Sequence, residues 1–474
     1  MTSPNTKRAV RVCYLCKVRK KACDKELPRC GYCIRRGLDC FYDDRIPATS
    51  GDIGQANAQG ILTVAKRPTT LGEAVYLQVC HILRSTGRSI LEISEQFFES
   101  FHHQFPIVSA IRFYENAVEA QCGSPPACFS ILILAICLIT LRPPEGVDVT
   151  IGPKDVYLTA KALFAQVQAV THASTALLQA GILISTFEFA SGLSEAAYVS
   201  IGICARMSQI LGLNGVENRR DGAPSYSKSA IILLEERNIW WAVMILERVI
   251  ISEVPGAKPI TEYPGPETVL PSDLPSEQRS RSEWNDVIVL ETPRLYELYA
   301  RDIGSLGRLA QAVYFMDQIL RVVNLQDDLA SKLPELTRLD EELRIVLALL
   351  MDQNYCARGV GCQAIGTSFR SLFLLHEYIL AQTGPEELDA SVMEQKQISD
   401  AALNNAATMI ADIARARLEE KKKYLDTIPL CFVYLSNVAI KHVQNSHCNL
   451  TGGFLESLAP LLELEYAFKS RWNI

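Results

Sequence analysis

The sequence predicts a small metal-stabilised domain at the N-terminus, followed by a large all-α domain. Six of the fifteen cysteines fall between Cys13 and Cys40, a density typical of a metal site. Residues 1–42 carry eleven basic and three acidic side chains, a net charge of +8, whereas the rest, with 36 basic and 50 acidic side chains, sums to −14. From about Leu71 onward, apolar residues recur with helical spacing, and strand-like alternation is hard to find.

The six N-terminal cysteines form two copies of a C-x2-C-x6-C pattern. The copies are Cys13, Cys16, Cys23 and Cys30, Cys33, Cys40. Each copy offers three thiolates, one fewer than a tetrahedral zinc ion binds. Six thiolates satisfy two zinc ions if four thiolates bind one ion each and two bridge both ions, which leaves the cluster with a negative charge. Two separate zinc sites would need eight ligands, but the segment has six cysteines and no histidine.

Metal binding is favoured over disulfide formation at this cluster. Residues 1–8 lack the apolar segment of a secretory signal peptide, so we expect a reducing compartment. A segment of about 30 residues with little apolar content has no adequate core, so metal binding would supply its folding energy. The other nine cysteines are scattered, mostly among apolar residues, and are expected to fill the core.

A basic run lies between the second and third cysteines and predicts a polyanionic partner for this domain. Its cations are Lys17, Arg19, Lys20 and Lys21. On a short helix, Lys17, Lys20 and Lys21 share one face, because residues three and four positions apart are neighbours. Arginine and lysine suit guanine, which presents O6 and N7 as paired acceptors in the major groove. The run from Lys7 to Lys21 also fits a nuclear import signal.

The segment Cys16-Lys-Val-Arg-Lys-Lys-Ala-Cys23-Asp24, with Pro28-Arg-Cys30, resembles the binuclear zinc-cluster DNA-binding domain of fungal transcription regulators. This resemblance implies that Cys13 and Cys30 bridge the two zinc ions. Cys16 and Cys23 would complete the first ion, and Cys33 and Cys40 the second. Pro28 matches the proline that sets the turn between the two halves in this family.

The resemblance also implies how the basic helix reads DNA. It would enter the major groove end-on, with Arg19 and Lys20 reading a CGG triplet. The remaining cations would position the domain on phosphates; they are Lys7, Arg8, Arg11, Lys17, Lys21, Arg29, Arg35 and Arg36. This chain departs from the family in having Ala22 where a basic residue usually precedes the third cysteine, which affects base preference at one edge of the triplet.

A polar linker, residues 43–70, separates residues 1–42 from the large domain. Pro47, Gly51, Gly54 and Gly60 interrupt it, as is typical of a flexible connection. Many relatives place a coiled coil here, but no apolar heptads occur between Phe41 and Arg67. A homodimer is compatible with the sequence but has no support from this segment, and the spacing of two triplets stays open.

Residues 71–474 predict a succession of helices around one Pro-rich loop. The apolar stretch from Ala127 to Leu141, about fifteen residues, is shorter than the roughly 20 that cross a bilayer and predicts a buried core helix rather than membrane insertion. Ala230 to Ile250, with Trp240-Trp241, predicts a central helix, and six prolines in 255–275 predict a long loop. An apolar stripe predicts a helix ending at Gly212; its members are Val199, Ile203, Met207, Ile210 and Leu211. Further helices are expected over Glu291–Val323, Leu336–Asp352, Gln363–Gln382, Gln395–Leu418, Leu461–Arg471 and the tail from Ile428.

Three segments of this large domain resemble the middle homology region of the same fungal regulators, over about residues 90–280. They are Phe97–Val108, Tyr198–Leu213 and Glu235–Arg248. The family often has Arg at Asn238 and Asp at Glu247, so the likeness is looser there. The resemblance implies an all-α regulatory domain that binds a small-molecule effector or a coregulator, with a helical C-terminal part over about 281–474.

The sequence therefore predicts a nuclear, sequence-specific DNA-binding transcription regulator with two zinc ions. By family likeness it would activate a metabolic gene set transcribed by RNA polymerase II, binding double-stranded DNA with CGG-like half-sites and transcription coregulators. One alternative is a structural scaffold, such as a chromosome or kinetochore component, that uses the same DNA-binding domain. An enzyme is disfavoured because no catalytic constellation appears. His102-His103 is not expected to bind metal, since two further ligands are missing from its vicinity.

Overall fold

The computed structural model is all-α, as the sequence predicts. It describes residues 12–13, 16, 21–26, 29–36, 40, 70–122, 125–142, 151–213, 230–274, 293–300, 303–352, 362–382, 390–419, 430–446 and 453–472. In these ranges β pairing is limited to isolated bridges, such as that between Val269 and Arg294. The helices are α1 (Gly31–Arg35), α2 (Leu71–Ser85), α3 (Ile90–Glu99), α4 (Ala110–Cys122), α5 (Ala127–Thr140), α6 (Pro153–Val170), α7 (Thr175–Ala190), α8 (Ser194–Ile210), α9 (Ala230–Ile251), α10 (Ser305–Val323), α11 (Leu329–Met351), α12 (Cys362–Ala381), α13 (Ala390–Glu419), α14 (Leu430–Ser446) and α15 (Gly453–Trp472).

Helix α5 is the centre of the first half of the large domain, which confirms the predicted core helix. All its residues from Phe129 to Thr140 are buried, so a helix with apolar residues on every face has neighbours all around it. The Thr140 hydroxyl donates to the carbonyl of Ile136 at 2.8 Å, which satisfies this buried polar group within the helix. Across the part of the chain that is described, every helix is too short or too polar to serve as a membrane span.

Helix α8 forms where the sequence predicts it, but it buries only part of the apolar stripe: Met207 is buried, and Ile203 and Leu211 are half-buried against the first core. Val199 and Ile210 are 60% and 76% exposed. The buried face instead carries Ala197, Ile201, Cys204, Ala205 and Ser208. The reason is a close approach to α7, where a Cβ on Gly181 would lie 2.7 Å from the Cys204 sulfur. Small residues therefore decide which face of α8 packs.

Helix α9 is central, and the predicted Pro-rich loop after it is confirmed over residues 252–274. Trp241 is fully buried and donates from Nε1 to the carbonyl of Val269 at 3.0 Å. The Asn238 amide, also buried, donates to the carbonyls of Pro106 and Ser272 at 3.0 and 2.6 Å and accepts from the Ser272 N–H. These bonds satisfy buried loop backbone that has no helical partner.

The predicted helix Glu291–Val323 is wrong over residues 293–300, which are extended and turn-rich. This segment pairs with the Pro-rich loop, since the Leu295 N–H donates to the carbonyl of Thr268 at 2.9 Å. Arg308 on α10 then donates to the carbonyls of Leu298 and Ala300, both at 2.6 Å. Side chains of α10 thus satisfy carbonyl groups that would accept backbone hydrogen bonds if residues 293–300 were helical. The local sequence pattern cannot reveal such distant partners.

Helices α10 to α15 enclose a second apolar core. Helix α10 serves both cores, with Leu309 and Val313 in the first and Phe315 and Ile319 in the second. Helix α15 does the same through Phe468 and Leu464. The helices are longer than predicted at three N-termini, since α11 begins at Leu329, α13 at Ala390 and α15 at Gly453. The α11 start is fixed by the Asp328 side chain, which accepts from the Ser331 N–H at 2.9 Å.

A buried ion network ties α9, the Pro-rich loop and α10 together. The Arg248 guanidinium donates to Asp317 and Glu247, each at 2.6 Å, and all three side chains are 1–2% exposed. Arg248 also donates to the Thr261 carbonyl at 2.6 Å, and Glu247 accepts from the Ile260 N–H at 2.7 Å. Arg321 also pairs with Asp317 at 2.7 Å, but its side chain is 55% exposed, so the two buried carboxylates depend chiefly on Arg248 between them.

We expect Arg248→Met to lower the free energy of unfolding by about 3–5 kcal/mol, because it leaves Glu247 and Asp317 without that cation. Arg206→Met, on the exposed surface of α8, should change it by less than about 0.5 kcal/mol. Urea unfolding followed by tryptophan fluorescence measures both changes. Equal losses in the two variants would show that the network adds no stability.

Candidate metal centre and nucleic-acid interface

The six N-terminal cysteines come together in one small cluster. Cys13, Cys16, Cys30 and Cys33 are at most 1% exposed, and Cys23 and Cys40 pack against them. The sulfur of Cys13 lies 3.6 Å from that of Cys30 and 3.7 Å from that of Cys33, and the Cys16 and Cys30 sulfurs are 3.6 Å apart. Among the described residues of the N-terminal domain, the cysteines are the only apolar side chains that are buried. The thiols themselves therefore form the centre of this domain.

The sulfurs form two groups of four that share two members. One group contains Cys13, Cys16, Cys23 and Cys30; the other contains Cys13, Cys30, Cys33 and Cys40; and the sulfurs of each group lie within 4.8 Å of one another. In a tetrahedral zinc site with bonds of about 2.3 Å, neighbouring sulfurs are about 3.8 Å apart. The observed spacings therefore fit two tetrahedral ions that share two thiolates.

Backbone N–H groups surround the cluster and help to offset its negative charge. Cys30 is the N-cap of α1, and its sulfur accepts from the Cys33 N–H at 3.4 Å. The Cys30 N–H in turn donates to the Cys40 sulfur at 3.1 Å. The Lys21 N–H donates to the Cys16 carbonyl at 2.9 Å, which closes the basic segment onto the first cysteine pair. Such donors stabilise thiolates and orient them toward a metal.

The thiols differ in how readily they ionise. Burial raises the pKa of Cys13 and Cys33 well above the usual range, and it raises the pKa of Cys16 to about 11. Burial also opposes ionisation of Cys30, but the Cys33 N–H and the neighbouring thiols lower its pKa to about 6. Metal ligation requires thiolates, so binding displaces the protons of the high-pKa thiols and weakens as the pH falls.

Asp24 joins the two halves of this domain, a role that the spacing of the cysteines does not reveal. Its carboxylate accepts from the Gly31 N–H at 2.8 and 3.0 Å and from the Glu26 N–H at 3.2 Å. A Cβ on Gly31 would lie 2.5 Å from the Asp24 carboxylate, so glycine is needed for this approach. The sequence signal is an aspartate directly after the third cysteine and a glycine directly after the fourth.

The predicted DNA-reading residues Lys17, Arg19 and Lys20 lie outside the described residues, as does Pro28. Lys21 is described, and it is exposed. Three more cations of the domain are exposed as well: Arg29, Arg35 and Arg36. The described surface next to the cluster is therefore positively charged, as a nucleic-acid interface requires. Of the predicted linker, residues 43–70, all but Thr70 also lie outside the described part, and Thr70 is the N-cap of α2.

Among the described residues, groupings with metal-ligand geometry consist of these cysteines only. His102 packs against Phe98 at 5.1 Å between ring centroids and against Phe97 at 5.9 Å. Burial, with a contribution from His103, lowers the pKa of His102 to about 3, so its imidazole is neutral at physiological pH. His102 thus belongs to an aromatic cluster.

We expect Asp24→Ala to weaken zinc binding by about fivefold. Asp24 adds to the capping of α1 by accepting from the Gly31 N–H, a contribution of about 1 kcal/mol, and folding is coupled to metal binding here. Glu26→Ala removes the same charge two residues away and is the matched control. Competition with a chromogenic chelator measures both affinities. Equal zinc affinity in Asp24→Ala and Glu26→Ala would rule out the capping role.

Comparison with known protein families matches two parts of the chain. Residues 11–49 match the fungal Zn(2)-Cys(6) binuclear cluster domain. Residues 95–343, more than half of the chain, match the fungal specific transcription factor domain. The first match contains all six clustered cysteines, and a domain of this kind binds two zinc ions.

One curated relative is transcription factor BOA15 of Botryotinia fuckeliana (strain B05.10). It is 30% identical over 124 residues, which cover 26% of this chain and 66% of that protein. The alignment thus spans slightly less than two thirds of the relative. With the two domain matches and the cluster of six cysteines, this similarity shows that the chain belongs to the fungal Zn(2)-Cys(6) transcription factor family.

Proposed function

We propose that this protein is a nuclear, sequence-specific DNA-binding regulator of RNA polymerase II transcription that reads CGG-like triplets. The observation that carries the proposal is the pair of four-thiol groups that share Cys13 and Cys30, with a basic run directly after Cys16. Membership of the fungal transcription factor family supports it. Activation of a metabolic gene set is the direction that family likeness favours.

The six cysteines are the zinc ligands in this proposal, with Cys13 and Cys30 bridging. Cys16 and Cys23 complete one site, and Cys33 and Cys40 the other. The zinc ions supply structural cross-links that fold a domain without an apolar core. The chain's own part is to present the thiolates and to stabilise their charge, through the Cys33 N–H, the Cys30 N–H and nearby cations.

Arg19 and Lys20 read the bases, and Lys17 and Lys21 contact phosphates. Support comes from the ends of the basic run, since Cys16 belongs to the metal cluster and the Lys21 N–H donates to the Cys16 carbonyl. Both ends of the run are thereby tied to one rigid frame. A frame of this kind holds base-reading side chains in register, which direct readout in the major groove requires.

The rest of the chain has a regulatory role in this proposal. Its organisation is residues 1–42 for DNA binding, 43–70 as linker and 71–474 as the all-α regulatory domain. Coregulators, a small-molecule effector and a second copy of the chain are its proposed partners, and no reaction is assigned to it. The alternative of a chromosomal scaffold predicts occupancy confined to centromeres, whereas regulation predicts promoter occupancy with altered transcripts, so chromatin mapping separates the two.

Selection of bound sequences from random DNA with the full-length protein tests the recognition element directly. We expect enriched CGG-like triplets, and their spacing would report whether one or two copies of the chain bind. Enrichment of unrelated sequences, or no enrichment, would contradict the proposed recognition.

We expect Cys13→Ser and Cys30→Ser each to reduce bound zinc below two ions per chain and to unfold the N-terminal domain, because each removes a ligand from both sites. Cys80→Ser is the control, since Cys80 is half-buried in α2 and outside the cluster. Elemental analysis of the purified chain gives the zinc content. Two ions per chain in Cys13→Ser would refute the bridging assignment.

We expect Arg19→Ala to weaken binding to the selected site by about 1–3 kcal/mol while changing affinity for random DNA little. Lys17→Ala should weaken binding to all sequences alike and reduce the salt slope by about one, because it removes one phosphate contact. Titrations at several salt concentrations measure both. Equal losses on both DNAs for Arg19→Ala would show that it contacts phosphate instead of a base.

A further inference from the structure

A cavity of about 490 Å³ opens at the C-terminal end of α5. Its polar lining includes Arg88 and Arg142, together with Thr86, Gln96 and Thr140. Its apolar lining includes Leu141 and Ile151. The volume lies within the range of about 300–1,000 Å³ that is typical of small-molecule sites. The cavity therefore combines two cations, neutral hydrogen-bonding groups and an apolar wall.

Arg88 is positioned by neutral acceptors. One of its nitrogens donates to the Thr140 carbonyl and hydroxyl at 3.2 and 3.3 Å, and the other donates to the Gln96 side-chain oxygen. The carboxylate of Glu92 favours the charged form of Arg88, although Glu92 also accepts from the Ser89 N–H and hydroxyl at 2.8 and 2.9 Å. These hydrogen bonds of the guanidinium thus go to neutral groups, which hold it at the cavity, while the Glu92 carboxylate lies nearby.

A third arginine lies behind the cavity wall. Arg471, near the end of α15, donates to the carbonyls of Leu141 and Ile139 at 2.7 and 3.2 Å. It stacks on Trp472, with the guanidinium carbon 4.1 Å from the ring centroid. Residues 88 and 471 are far apart along the chain, so this cationic cluster exists only in the folded domain.

The three guanidiniums influence one another. Burial lowers the pKa of Arg471 to about 10, with further lowering by Arg142 and Arg88. Burial likewise lowers the pKa of Arg88, and Arg142 adds to this effect. The C-terminal carbonyls of α5 offset part of the positive charge, but a helix end carries only about half an elementary charge. Three guanidiniums thus lie around one cavity, an arrangement that suits an anionic ligand.

We propose that this cavity binds a small organic oxyanion, a carboxylate or a phosphate ester, as a ligand of the regulatory domain. The planar guanidinium of Arg142, exposed at the cavity mouth, matches the geometry of a carboxylate or phosphate. The cavity is far larger than the roughly 30 Å³ that one water molecule occupies, so it has room for a carbon skeleton against Leu141 and Ile151. This inference adds a site and a ligand class to the proposed function and does not depend on which DNA sequence is read.

The test is calorimetric titration of the full-length, zinc-loaded protein with four probes. These are inorganic phosphate, citrate, glucose 6-phosphate and sodium chloride at matched ionic strength. Arg142→Gln removes a cation from the exposed rim of the cavity, and Arg206→Gln makes the same change on the exposed surface of α8. DNA affinity of each variant is measured without added anion, which reports separately on the DNA-binding domain.

We expect citrate or glucose 6-phosphate to bind more tightly than chloride or inorganic phosphate, and which of the two is preferred identifies the carboxylate or the phosphate class. Arg142→Gln should weaken that binding by about tenfold or more, since a charge-assisted hydrogen bond is lost, whereas Arg206→Gln should leave it unchanged. DNA affinity should be the same in both variants. Organic anions that bind no better than chloride, or equal weakening by the two substitutions, would overturn the proposal.

Discussion

Six sulfurs that must fill eight zinc-ligand positions are the constraint on which the N-terminal domain depends. In the proposed arrangement Cys13 and Cys30, the members common to both four-sulfur groups, bridge the ions, and the two halves of the segment meet at these two residues. The shared cluster is negatively charged, so N–H donors and cations must lie close to it. The same cations give the domain its affinity for a polyanion, and thus one electrostatic requirement links folding to the proposed DNA binding.

The large domain is stabilised by different physics. Its helices bury two apolar cores, and α10 and α15 contribute side chains to both, which joins them into one structure. Two of its buried polar groups are paired across elements: Asn238 with the backbone of the Pro-rich loop, and Arg248 with Glu247 and Asp317. Loss of metal is therefore expected to unfold the N-terminal domain. Substitutions in the large domain change its stability through packing and buried hydrogen bonds.

Two residues of α9 show what this pairing requires. The Asn238 amide both donates to and accepts from Ser272, which an arginine cannot do. The Glu247 carboxylate pairs with Arg248 and accepts from the Ile260 N–H. The cavity at the end of α5 extends this theme, because its arginines come from three separate places: Arg88 before α3, Arg142 just after α5 and Arg471 in α15.

The sequence by itself determined the cluster of six cysteines, the basic run, the all-α class and the core helix from Ala127 onward, because each follows from local spacing or composition. Tertiary structure decided what depends on distant partners. Residues 293–300 are extended because Arg308 and Gln311 satisfy their backbone, and α8 exposes Val199 because Gly181 admits Cys204 closely on the other face. Asp24 meets Gly31, and Arg88 meets the end of α5, only once the chain has folded, since hydrogen bonds between distant residues leave no periodic trace in a sequence.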